Sequence, residues 1–146
     1  MSVADRIQPV ALLLARIGIG AIFLVHGRQK FAAGLDSTAA AFQSMGVPAA
    51  SLTAPAVAVL EVIGGIALIL GAALPIFGSL LVLDMIGAFV LVHAAHGFSV
   101  AKGGYEFVLA LAAGTLAVAF SGGGALALDN LWQRRGRRAR SRRGEA

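Results

Sequence analysis

The sequence predicts an all-α protein, a four-transmembrane-helix bundle with a short interfacial helix between helices 1 and 2. Three observations carry that reading. The 146-residue chain is 58% apolar with a mean hydropathy of +0.85; in soluble domains apolar residues including glycine make up only about half. The apolar residues fall in long stretches separated by breaks rich in glycine, proline and charge. Only 13% of residues are charged, and seven arginines sit together between Arg134 and Arg143.

Residues Met1 to Gln8 are short and polar, with Asp5 and Arg6 cancelling. They make a poor signal peptide, because the leading segment has no net charge and Arg28 and Lys30 stand where a small-residue cleavage site belongs. The first span, Pro9 to about Gly27, is therefore expected to be a retained helix, with Pro9 in its first turn. Gly34 to Ser51 reads as a connection in which AAAFQSMG forms the interfacial helix. The second span runs from about Leu52 to Leu74, with Pro55 early and Glu61 inside. A tight turn, Gly71 to Pro75, leads into the third span, Ile76 to about His93, which contains Asp84. The fourth span, Tyr105 to Ser121, begins beside Glu106 and crosses roughly 25 Å at the α-helical rise. Gly122 to Gly124 end it. Residues 1–129 form one membrane domain, and 130–146 a basic tail expected to be disordered.

An even number of spans puts both termini on one side. The arginine run comes directly after the last span, so the positive-inside rule makes that side the cytoplasm. Loops 28–52 and 94–104 then face outward and the 71–75 turn inward. Trp132 fits an interfacial anchor. The tail's attraction is for anionic lipid, at about 1 kcal/mol per basic residue near the surface, and no nucleic-acid partner is implied.

Arg16 organises the buried polar residues. A charge at that depth costs roughly 2.5–3.5 kcal/mol on insertion scales, so it must face protein or water and find a counter-charge. At 1.5 Å per residue Arg16 lies about 10 Å from the inner end of span one, Asp84 about 12 Å from that of span three, and Glu61 about 14 Å down span two. The expectation is that Arg16 is neutralised by one or both acids near mid-membrane. Two acids against one base leave a surplus carboxylate. Either the set is a packing network, or the surplus group takes a proton or hydrogen-bonds a ligand.

The three histidines fall at the outer end: His26 closes span one, His93 and His96 close span three, and Glu106 opens span four at the same level. They read as a polar rim or as the entrance for a ligand or proton. Asp84 and His93 are nine residues apart, half a turn out of phase, so one helix face cannot hold both. The rim residues have acceptable ligand chemistry for a metal, but their spacing matches no strong signature and no metal is assigned. Gly18, Gly20, Gly64, Gly65, Gly71, Gly78 and Gly87 are expected to allow close helix approach. The chain has no cysteine, which excludes disulfides, thiolate nucleophiles and persulfide carriers. Redox chemistry would need a bound cofactor or a partner subunit.

Several segments resemble the DoxX-like family of small four-helix membrane proteins. They are RIGIGAIFLVHGRQK (Arg16–Lys30), FQSMGVP (Phe42–Pro48), EVIGGIALILG (Glu61–Gly71), GGYEFVLALAA (Gly103–Ala113) and GGGALALD (Gly122–Asp129). The last departs from the family's closing pattern by lacking its proline and serine. The resemblance spans nearly the whole chain to Asp129 and excludes the basic tail. It implies a multi-pass protein of the cell (inner) membrane. It also implies association with quinone-linked sulfur oxidation, with oxidative-stress complexes, or with maturation and assembly. No catalytic residue is carried over.

Three readings are open. The first is a membrane subunit of redox complexes, with a quinone as the candidate cofactor and Arg16, His26, Glu61, Asp84, His93 and Glu106 as candidate ligand-binding residues. As an enzyme the chain is at most a subunit of a quinone-linked oxidoreductase. The second is a non-enzymatic scaffold or assembly factor. The third is a small-molecule or proton transporter, which with so few spans would need to oligomerise. The expected partners are the lipid bilayer and either other proteins or further copies of the chain.

Overall fold

The computed structural model describes residues 3–124 and 126–130. The arginine run and Trp132 lie outside the described residues. Within them the regular structure is entirely helical.

Helix α1 spans Val3–Ala33, 31 residues or about 46 Å. It overruns the expected Pro9–Gly27 at both ends. The stretch GRQKFAA contains nothing after Gly27 that stops a helix, since Arg, Gln, Lys and Ala are good formers. The first break is Gly34, whose φ is 89°. Pro9 lies inside the helix and not in its first turn.

Helix α2, Leu35–Ser44, is the short helix expected in the connection. It folds back on the end of α1, where the Thr38 hydroxyl reaches Lys30 O at 3.1 Å and Gly34 O at 3.0 Å. Helix α3 is Ala50–Leu70 and α4 is Leu74–Ala88. Beyond α4 the path continues through a π-helical turn, Phe89–His93, and a 3-10 turn, Ala94–His96. Helix α5 is Glu106–Phe120. Three segments are long and apolar enough to cross a membrane, Arg6–Ala33, Ala50–Leu70 and Leu74–His96; α5 is apolar but shorter.

The main contacts pair α1 with α3 and α4 with α5, and α3 packs on α4. On α1 the residues facing the bundle recur at heptad spacing: Arg16, Gly20, Phe23, Gly27 and the partly buried Lys30. On α3 the matching stripe is Ala54, Ala58, Glu61, Gly65 and Leu68. A Cβ on Gly20 would stand 2.6 Å from Gly65 O, and one on Gly65 would stand 2.6 Å from Gly20 O. The two backbones touch there, and only glycine on both sides permits it. Gly18 and Gly87 do not share this role, since a Cβ at either would meet nothing within 4 Å.

The outer faces are apolar. Leu14, Ile76, Leu83 and Phe120 each remain more than 60% exposed. A soluble monomer does not present such continuous apolar surface; hydrocarbon is its matching solvent.

Candidate functional site

Two polar clusters occupy different levels of the bundle. Arg16 and Lys30 lie on one stripe of α1, about 21 Å apart along its axis.

The Arg16 cluster differs from the sequence expectation. Its side chain is fully buried, yet neither Glu61 nor Asp84 pairs with it. The guanidinium lies against Gly71, where an added Cβ would collide with Nη1. Gly71 ends α3 with φ 71°, a conformation that also favours glycine. Arg16 Nη2 donates to Leu126 O at 3.3 Å. Among the described residues Nε and Nη1 have no hydrogen-bond partner. The acid whose charge acts on Arg16 is Asp129.

Asp129 also holds the turn between α3 and α4. Its carboxylate accepts from Ala73 N–H at 2.7 Å and Leu74 N–H at 2.9 Å. Its own N–H donates to Gly71 O at 3.0 Å. Ala73 sits at φ 47°, a left-handed conformation that costs an L-residue roughly 1–2 kcal/mol. Asp129 thus caps α4, whose N-terminus has no cap of its own. Asn130 steadies the return by donating to Gly122 O at 3.1 Å and to Gly124 O. The segment after α5 is stapled to Arg16 and to the α3–α4 turn.

The second cluster lines a cavity of about 520 Å³ between α1, α3, α4 and α5, flanked by residues of α2 and the segment after it. Most of its wall is apolar, with Phe23, Phe42, Val57, Met85 and Leu111 among the lining residues. Its polar residues include His26, Lys30, Glu61, Asp84 and His93. Lys30 Nζ donates to Glu61 Oε2 at 2.5 Å, with the two side chains 19% and 5% exposed. Lys30 therefore takes the role expected of Arg16. The sequence expectation places Lys30 in a loop, but α1 stays helical past it. Side chains on a helix lean toward its N-terminus, so Lys30 reaches back into the bundle toward Glu61. Lys30 is also near enough for its charge to act on Asp84, as is Glu61. Lys30 pairs with Glu61 alone, so Asp84 is the acid left without a paired base among the described residues. Asp84 Oδ2 is buried with no hydrogen-bond partner among the described residues.

His93 lines the same cavity as Asp84, against the expectation from helical phase. The reason is the π-helical turn between them. There Ala94 N–H bonds to Phe89 O, five residues back. The wider turn takes up an extra residue and rotates the residues beyond it. His93 Nδ1–H donates to Gly103 O at 2.7 Å. His26 packs on Phe107 with ring centroids 6.0 Å apart.

His96 and Glu106 lie outside the cavity lining. His96 Nδ1 is bonded to Val92 O at 2.9 Å. Glu106 Oε1 accepts from Val100 N–H at 2.6 Å, closing the connection between α4 and α5. Among the described residues no three His, Asp or Glu side chains converge as a metal site requires. Of the six candidate residues, the fold brings His26, Glu61, Asp84 and His93 to one cavity and places Arg16 and Glu106 in structural contacts. Lys30 and Asp129 are the two residues that sequence reasoning missed.

Comparison with known proteins decides the family. Residues 11–94 match the DoxX family. The chain belongs to the DoxX family. It is 38% identical over 120 residues to a Bacillus subtilis protein named "Putative oxidoreductase CatD", covering 82% of this chain and 85% of that one. It is 31% identical over 134 residues to an uncharacterized protein of Haemophilus influenzae, covering 89% and 96%. It is also 32% identical over 83 residues to an uncharacterized membrane protein of Mycobacterium tuberculosis, covering 57% and 51%. No solved structure matches it significantly. The DoxX match contains both stripes of the α1–α3 seam and the cavity's His26, Lys30, Glu61, Asp84 and His93. Asp129 falls beyond it.

Proposed function

We propose that this DoxX protein is a four-span protein of the cell membrane with both termini in the cytoplasm. We propose further that it binds a quinone-like ligand as a membrane subunit of quinone-linked or oxidative-stress redox complexes. The apolar faces and the arginine run support the topology, with α5 as a short fourth span. The name of the Bacillus subtilis relative supports the redox association.

One observation carries the ligand reading. The mostly apolar cavity holds a buried carboxylate oxygen, Asp84 Oδ2, that nothing among the described residues satisfies. Pockets for small ring compounds have this character, apolar walls with a few convergent polar atoms. Phe23, Met85 and Leu111 can enclose an apolar ring, while Lys30, His26, Asp84 and His93 offer polar contacts to its oxygens. A bound quinone would supply two-electron, two-proton chemistry that the cysteine-free chain lacks. The chain's own residues bind the ring, orient its oxygens and hold charge beside it.

A second reading, a scaffold or assembly factor, is favoured by Arg16 and Glu106, whose hydrogen bonds go to this chain's own backbone. Purification in mild detergent, then solvent extraction, separates the two. The ligand reading expects quinone in the extract at a stoichiometric level, and less of it from Glu61→Gln protein that still folds. Extracts without quinone, together with a stable protein partner retained by Glu61→Gln, would favour the scaffold.

A further inference from the structure

We propose that the cavity opens sideways into the bilayer between α1 and α5, and that its ligand is a lipid-borne molecule whose long chain leaves through this gap past His26 and Phe107. This rests on the cavity being the ligand site and adds the class of ligand and its route of entry.

The helix seams around the cavity are not equally closed. Along α1 and α3 the backbones touch at Gly20 and Gly65, and again at Gly27, where an added Cβ would stand 2.9 Å from Ala58 O. Between α4 and α5 a Cβ on Gly78 would collide with Ala119. Further along that side Phe89 and Tyr105 pack edge to face at 4.9 Å. The α1–α5 seam changes along its length. A Cβ on Gly114 would stand 3.0 Å from Ile19 Cδ1, so the helices are close there. Seven residues on in α1 and seven back in α5, about 10 Å along each axis, stand His26 and Phe107. There two rings hold the helices apart, with centroids 6.0 Å from each other. Both rings line the cavity, and both are exposed, Phe107 by 40%. At this level they are the wall between the cavity and hydrocarbon. Turning either ring about its Cα–Cβ bond widens the gap with no change in the backbone.

A gap onto hydrocarbon selects what can bind. Each methylene kept out of water favours the bound state by about fourfold, so a chain of ten carbons must stay in apolar surroundings on the way in and once bound. A chain that runs out between α1 and α5 does so. It also loses less rotational freedom than one coiled inside the cavity. The cavity's polar residues, Lys30, Glu61, Asp84 and His93, are then left to the head group. Met45 and Leu91 also line the cavity and are exposed by 47% and 43%. They mark a second mouth, beside α2 and the π-helical turn. In the proposed topology that mouth faces outward, toward lipid head groups and water, and does not suit a hydrocarbon chain.

The test is photolabelling of the full native chain in phosphatidylcholine nanodiscs. Two decylubiquinone analogues serve as probes, one with a diazirine on the chain carbon next to the ring, the other with it at the chain end. Adducts lost in the presence of excess decylubiquinone are mapped by peptide mass spectrometry. The ring-side probe is expected to label cavity-lining residues. The chain-end probe is expected to label Val25, Gln29 and Ala110, which flank the α1–α5 gap, are exposed and do not line the cavity. Excess decylubiquinone is expected to abolish most of both sets of adducts. Displaceable chain-end adducts found instead on α2 and the Phe89–His93 turn, or only inside the cavity, would overturn the route between α1 and α5 and leave the cavity as the ligand site. No displaceable adduct from either probe would overturn the site assignment as well.

Discussion

Asp129→Ala protein is expected to lose about 2–5 kcal/mol of stability, read as a large fall in thermal midpoint in detergent micelles. Two losses coincide. The substitution removes both hydrogen bonds that cap α4 at Ala73 and Leu74, and losing a capping side chain costs about 0.5–2 kcal/mol. It also removes the acid that acts on Arg16. A buried cation left without its counter-charge costs roughly 3–5 kcal/mol where the pair is close; the upper bound is lower here because no carboxylate lies within 4 Å of Arg16 among the described residues. A rescue identifies the cause. Adding Arg16→Met to Asp129→Ala is expected to recover part of the loss, because the charge is then gone while the cap is still missing. Native-like melting of Asp129→Ala alone would contradict the role given to this cluster.

The second large effect is expected from the Lys30–Glu61 pair, and it is asymmetric. Lys30→Met leaves Glu61, whose side chain is 5% exposed, without its hydrogen-bonded cation, at a cost toward the roughly 3–5 kcal/mol of a broken buried pair. Glu61→Met is milder, because Lys30 is 19% exposed and its long stem can turn the ammonium outward. The double variant is expected to melt close to the native protein, since replacing both partners of a buried pair with apolar groups is often neutral. Equal single-variant effects that simply add would show that the pair is not coupled.

The helices are legible in the sequence because each apolar run ends at a chemical break. Gly34 stops α1, Gly71 stops α3 and Pro75 starts α4. The short α2 is visible between its glycines for the same reason. The buried charges are legible as buried, but their partners are not. Depth counted from Pro9 places Arg16 level with Glu61 and Asp84, whereas the continuous α1 keeps Lys30 helical and on the packed stripe. The spacing Arg16, Gly20, Phe23, Gly27, Lys30 is the available signal. Asp129 requires knowledge that the chain returns to the α3–α4 turn. The hint is that Ala73 and Leu74 begin α4 with no capping side chain. The phase shift that brings His93 beside Asp84 arises in FVLVH, whose composition does not distinguish a π turn from an α turn.

Filling the cavity tests most directly whether it is a ligand site. Gly87 lines it, and a Cβ there would meet nothing within 4 Å, so a larger side chain enters open space without pushing the helices apart. Replacing a helical glycine with phenylalanine also gains up to about 0.5 kcal/mol of helix propensity. Gly87→Phe protein should therefore melt at or above the native temperature while its affinity for decylubiquinone falls by at least tenfold. Undiminished binding by a Gly87→Phe protein of native stability would mean that the ligand sits elsewhere.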